Sequence, residues 1–144
     1  MEKQSYTNHT RYQPLQHFVW LPLSFLLLIG TVAYTIYELV KNGFSLYLLL
    51  LVGVVILAII PGMLARIYAI TLQDRLIQNE EQLRYYMLTG KGLDSRLTKE
   101  QVIALRFASD KEFVELVNRA IEENLSPDDI KKSIKTWRPD HQRV

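Results

Sequence analysis

The sequence predicts an all-α protein: a transmembrane helical hairpin with its second helix extended into the cytoplasm, followed by a small bundle of three short helices. Three observations predict it. Two long apolar stretches are nearly free of charge, with Glu38 alone between Phe18 and Leu39 and no charged residue between Phe44 and Ala65. After the second stretch nothing breaks a helix until Thr89-Gly90. Three helix-start signals then follow in the last third of the chain.

With 144 residues, 49% of them apolar, the chain has room for one ordinary domain or a few helices with appendages, which excludes a multidomain enzyme. A mean hydropathy of +0.02 averages two unlike parts, because almost every charge lies outside 18–65. A formal charge of +2, from 17 basic and 15 acidic side chains, argues for no nucleic-acid partner. The absence of cysteine excludes disulfides, thiolate metal sites and thiol catalysis.

Residues 1–17 form a polar tail, expected on the cytoplasmic side. Residues 18–40 form the first span, since a crossing helix needs roughly 20 apolar residues and satisfies its own backbone where water is absent. Pro22 falls in its first turn, where a missing N–H does no harm. Lys41, Asn42 and Gly43 make the external turn, with Gly43 or Asn42 free to adopt a left-handed conformation. Residues 44–69 are the second span. Pro61 removes one of its hydrogen bonds and crowds the Leu57 carbonyl, which predicts a bend, static or moving. Ala58, Gly62, Ala65 and Ala69 line one face by spacings of four, three and four, a strip suited to close helix packing. Its partner is either Gly30 and Ala33 of the first span or a second copy.

Basic residues near the membrane ends set the orientation. Lys3 and Arg11 precede the first span, Arg66, Arg75 and Arg84 follow the second, and the turn carries Lys41 alone, so both termini are expected in the cytoplasm. Trp20 and Tyr68 fall near one boundary, and Tyr34, Tyr37, Phe44 and Tyr47 near the other. A cleaved signal ending at Thr31-Val32-Ala33 is the rival reading. The long polar lead-in and the apolar run beyond Ala33 favour a retained span.

Residues 70–90 continue the second helix by about 35 Å at 1.5 Å per residue. Leu72, Leu76, Asn79, Leu83 and Tyr86 recur at four, three, four and three, a coiled-coil-like seam with one polar core position. The seam is short for a free coiled coil, so the rest of the chain is expected to fold back onto it, with self-association the alternative. In residues 91–144, Thr98 with Gln101, Ser109 with Glu112, and Ser126 with Pro127 and Asp129 each open a helix. The middle helix gathers Phe113, Val117, Ala120 and Ile121 on one face, and the last gathers Ile130, Ile134 and Trp137. A segment this small needs a floor to pack on.

Chemistry is sparse. The acid pairs Glu80-Glu81, Glu122-Glu123 and Asp128-Asp129 are helical neighbours pointing about 100° apart, which reads as solvated faces. Asp74, Gln78 and Glu81 share a face without nearby histidine. His9, His17 and His141 stand at no ligand spacing, and Gly90-Lys91-Gly92 lacks the strand and Ser/Thr of a phosphate loop. The serines show no nucleophile-elbow context. Lys131, Lys132, Lys135, Arg138 and Arg143 suit either solvent or acidic headgroups. No catalytic residue, metal site or cofactor is expected.

The motifs Asn8-His9-x-Arg11-Tyr12, Leu97-Thr98-x-x-Gln101-Val102-Ile103-Ala104-Leu105-Arg106-Phe107-Ala108 and Trp137-Arg138-x-Asp140 carry a resemblance. Over almost the whole chain the sequence resembles an uncharacterised family of small bacterial two-span membrane proteins, a domain of unknown function. The resemblance implies architecture and a bacterial setting, and supplies no activity. The expected function is a non-enzymatic membrane-anchored helical scaffold or adaptor in a bacterial inner or plasma membrane. It would contact lipid and bind itself or another membrane protein, with no nucleic-acid partner. An accessory subunit of a transporter or oligomeric pore is the alternative. The residues expected at helix-packing or partner contacts are the strip Ala58, Gly62, Ala65 and Ala69, the seam Leu72, Leu76, Asn79, Leu83 and Tyr86, and Phe107 and Trp137.

Overall fold

In a computed structural model the chain is helical, with no strand among the described residues, which are 5–7 and 13–140. Lys3, His141, Arg143 and the whole Asn8–Tyr12 motif, with His9 and Arg11, lie outside them. A π-wound turn, Leu15–Trp20, leads into α1, Leu21–Asn42. Then come α2, Leu46–Thr89, α3, Lys99–Leu105, α4, Asp110–Glu122, and α5, Pro127–Ser133. Two compact units divide the chain, one over 12–69 and the other over 1–11 with 70–144.

In the first unit, helix starts earlier than the expected residue 18. The Leu21 N–H donates to the Gln16 carbonyl, the wide spacing of a π turn, immediately before Pro22, which has no N–H to give. The turn also shifts from 41–43 to 43–45. Lys41 and Asn42 stay helical because the Lys41 Nζ donates to the Tyr37 hydroxyl at 3.1 Å and the Asn42 amide to Glu38 at 2.6 Å. Gly43 takes φ +75° and ψ −172°, a positive φ as glycine allows but outside the left-handed helical well. Ser45 opens α2, its hydroxyl accepting from the Leu48 N–H at 3.4 Å. Helix is unbroken through Pro61. Leu15–Asn42 and Leu46–Thr89 are both long and apolar enough to cross a membrane, each containing an 18-residue stretch of high mean hydropathy, 1.9 and 2.9.

The second unit builds its core from α3, α4 and α5. Leu105, Phe107, Phe113, Val117 and Ile130 are fully enclosed, with Tyr85 of α2 packed against them. Each short helix has its start fixed locally. Thr98 and Gln101 exchange hydrogen bonds at 3.2 and 2.8 Å, and the Ser126 hydroxyl accepts from the Asp129 N–H at 3.1 Å. The Ser109 N–H donates to Glu112 at 3.4 Å. At Gly90 the φ of +70° ends α2 while its N–H donates to the Tyr86 carbonyl at 2.8 Å, so Gly90-Lys91-Gly92 is a helix stop.

Two expectations are corrected here. Trp137 is not on the last helix, because α5 ends at Ser133 and Ile134 is extended, with ψ 122°. The chain then pairs with the end of α3: the Arg138 N–H donates to the Phe107 carbonyl at 2.7 Å and the Ser109 N–H to the Thr136 carbonyl at 3.1 Å. The Leu72 to Tyr86 seam is not the floor of the bundle. Leu72, Leu76, Leu83 and Tyr86 are 58–63% exposed, while Ile77, Glu81 and Arg84, on the opposite side of the helix, are at most 6% exposed. The buried face instead carries Arg84, whose hydrogen bonds to Asp110, Glu81 and the Ala108 carbonyl are directional and so specify which side of the helix meets the bundle.

Candidate functional site

Within 70–144 the helix α2 is two-faced. Its inner face centres on Arg84, whose Nε donates to Asp110 at 2.7 Å, Nη1 to Glu81 at 2.9 Å and Nη2 to the Ala108 carbonyl at 2.7 Å. The same guanidinium lies 4.1 Å from the Phe113 ring centre. Three partners and a ring satisfy a buried cation that would otherwise be costly. The other Glu81 oxygen accepts from Arg138 at 3.4 Å, which ties the closing segment to α2. Arg106 repeats the device beside it, donating to Asp140 at 2.9 Å and to the Ile103 carbonyl at 3.0 Å and lying 4.3 Å from the Phe107 ring. Trp137 also packs on Phe107, the two ring centres 5.0 Å apart.

Glu112 locks the return of the chain. Burial pushes its carboxyl up, but the Lys135 and Thr136 N–H groups, each donating at 3.0 Å, and the Ser109 N–H and hydroxyl outweigh this and hold it below its ordinary value. Asp94 is held at about 2 by the side chain and backbone N–H of Arg96. Asp128 is lowered by Lys132, at 2.9 Å, and by the Tyr6 hydroxyl, which donates to it at 3.0 Å.

The outer face is apolar and uncovered. Leu72, Leu76, Leu83, Tyr86 and Met87 are all exposed on it, and Asn79 lies among them. A groove of ≈ 650 Å³ borders this face, with Leu76, Ile77 and Met87 on its apolar side and Arg106, Arg138 and Asp140 on its charged side. Five of the residues singled out in the sequence, Leu72, Leu76, Asn79, Leu83 and Tyr86, therefore come together as one surface. Phe107, buried, and Trp137, half-buried against it, belong to the bundle core instead. The buried pair of Glu81 and Arg84, tied to the exposed Arg138, and the buried Arg106 with its partner Asp140 were missed. For Glu81 and Arg84 the only sequence signal was charge at helix positions aligned with Ile77.

In the other unit, the strip on α2 meets Trp20 instead of Gly30. A Cβ at Gly62 would run into the Trp20 indole, while one at Gly30 would meet nothing within 4 Å. Close approach at Gly62 is the reason for glycine there. Gly62 and Ala69 are half-buried, and Ala58 and Ala65 exposed. His17 turns its Nδ1 onto the backbone of Gln13, 3.0 Å from that carbonyl. Ser24, Thr31, Thr35 and Glu38 form the less exposed strip of α1, and the Thr35 hydroxyl is enclosed without a hydrogen-bond partner.

Chemically the arrangement offers contact surface. Each acid pair has one or both members engaged by neighbours: Glu81 by Arg84, Glu123 by Arg119, Asp128 by Lys132 and Asp129 by Ser126. Asp74 pairs with Lys99 at 3.3 Å. No group of three or more His, Asp or Glu residues that could hold a metal occurs among the described residues.

No curated protein and no solved structure matches the chain. One family matches it from residue 1 to residue 144, covering the apolar helices and the capped bundle alike, and the chain thus belongs to DUF6526, a family of unknown function.

Proposed function

We propose that the protein is a non-enzymatic, membrane-anchored helical scaffold, in which a two-span hairpin fixes a cytoplasmic module that binds a protein partner through the outer face of α2. The observation that carries this reading is the uncovered row of Leu72, Leu76, Leu83, Tyr86 and Met87 on a helix whose other face is satisfied by its own fold. A contiguous apolar patch of this kind on an aqueous segment marks an interaction site. Anchoring in a membrane is supported by the length and hydropathy of the two helices, and the orientation by the basic residues flanking them. The Tyr6 hydroxyl donates to Asp128, which supports a hairpin with both termini on one side.

Crosslinking in native membranes tests this function. Adducts formed through residue 83 and lost on Leu76→Ser are expected. Protein that stays monomeric and partner-free over the accessible concentration range would refute it.

A second reading, an accessory subunit of a transporter or oligomeric pore, is favoured by the polar strip Ser24, Thr31, Thr35 and Glu38 on α1, since polar groups within a span commonly face a neighbouring helix or an aqueous path. Proteoliposome flux, alone or with co-purified subunits, tests it. Absence of both conductance and uptake would remove it.

A further inference from the structure

We infer that the partner of the outer face is a second copy of this chain, joined through α2 as a parallel, in-register coiled coil. The dimer names the occupant of the surface proposed above and rests on that proposal. If Leu76 and Leu83 occupy a positions, then Leu72, Asn79 and Tyr86 occupy d positions. The b, c and f positions that a two-stranded coil leaves outside are here Asp74, Ile77, Gln78, Glu81, Arg84 and Tyr85, all of them buried or half-buried. The helix thus divides its circumference between its own bundle and the seam, every a and d position from Leu72 to Tyr86 being exposed.

Charge at the seam's edges selects the partner. Arg75 falls at g and Glu80 at the following e, the pair that meets across a parallel two-stranded coil, so a second copy in register supplies an opposite charge to each. Both side chains are exposed, and neither has an ion-pair partner among the described residues. The two Asn79 amides would face each other, each able to donate and accept, a polar core contact that fixes register. The strip from Ala58 to Ala69 continues the same a and d alternation back along α2, but Trp20 occupies it at Gly62, so the open part begins at Leu72. Two heptads suffice where a common membrane aligns the helices and raises their effective concentration.

The test exploits a chain without cysteine. Asn79→Cys and Leu83→Cys, each introduced alone into the full-length protein in native membranes, are expected to give disulfide-linked dimers on mild oxidation, and Lys111→Cys on α4 none. Arg75→Glu and Glu80→Arg, each in the Leu83→Cys background, are expected to cut the dimer yield several-fold, and the double reversal to restore it. Both reversals are at exposed positions, so loss of fold does not confound them. Absence of dimer at positions 79 and 83, or yields indifferent to charge reversal, overturns the inference. A photocrosslinker at position 83 separates the two failures. An adduct with a different protein overturns the homodimer alone, and no adduct of any mass overturns the partner-binding function with it.

Discussion

Single side chains decide where this fold is tight. Gly62 leaves room for the Trp20 indole and for nothing more. Gly62→Ala is expected to destabilise by about 1–3 kcal/mol, the usual cost of overpacking, read as a lowered thermal midpoint in detergent. Trp20→Leu in the same background should recover part of the loss. Arg84→Ala removes three hydrogen bonds and leaves Glu81 buried beside a void, so a loss of about 3–5 kcal/mol is expected in denaturant unfolding, the range for breaking a buried pair. Glu112 makes stability depend on pH. Its folded pKa lies below the ordinary 4.5, so its contribution is complete above that pH and is lost as pH falls through the folded value. Glu112→Gln is expected to flatten the acid limb of a stability-against-pH curve. An unchanged limb would show that the Lys135 and Thr136 contacts do not form.

At the scale of elements, α2 holds the contrast worth measuring. Leu83 is 59% exposed and Phe107 1%. With the copies separated by dilution in detergent, Leu83→Ala should leave unfolding of the single chain within about 0.5 kcal/mol of the parent, as surface changes do. Phe107→Ala should cost about 3–5 kcal/mol, since it empties the centre of the bundle and removes the faces against which Arg106 and Trp137 lie. An equal cost at both positions would contradict the division of α2 into an inner and an outer face. The short helices α3 and α5 depend on their starts more than on their length. Seven residues each nucleate poorly alone, so Thr98, Gln101 and Ser126 set where they begin and the core holds them.

For the whole molecule, the decisive question is which side of a membrane each segment occupies. With single cysteines at residue 44 in the turn and at residue 132 on α5, an impermeant thiol reagent on intact cells is expected to label the first and spare the second until the cells are opened. Labelling of residue 132 from outside would invert the proposed orientation.

Much of the helical plan was legible from the sequence. Long, nearly charge-free stretches mark most of Leu15–Asn42 and the first part of α2 as helices that a membrane would accept, and the capping residues Thr98, Ser109 and Ser126 mark the starts of α3, α4 and α5, because these signals lie in contiguous sequence. The Leu72 to Tyr86 row was equally visible as a pattern. Which face of α2 the bundle would cover was decided only by tertiary structure. Arg84 reaches Asp110 and the Ala108 carbonyl across more than twenty positions of sequence, and Arg138 reaches Glu81 across 57, so no local window contains both partners. The extended course of Trp137 has the same origin: its backbone pairs with the end of α3, a partner that helical periodicity does not reveal.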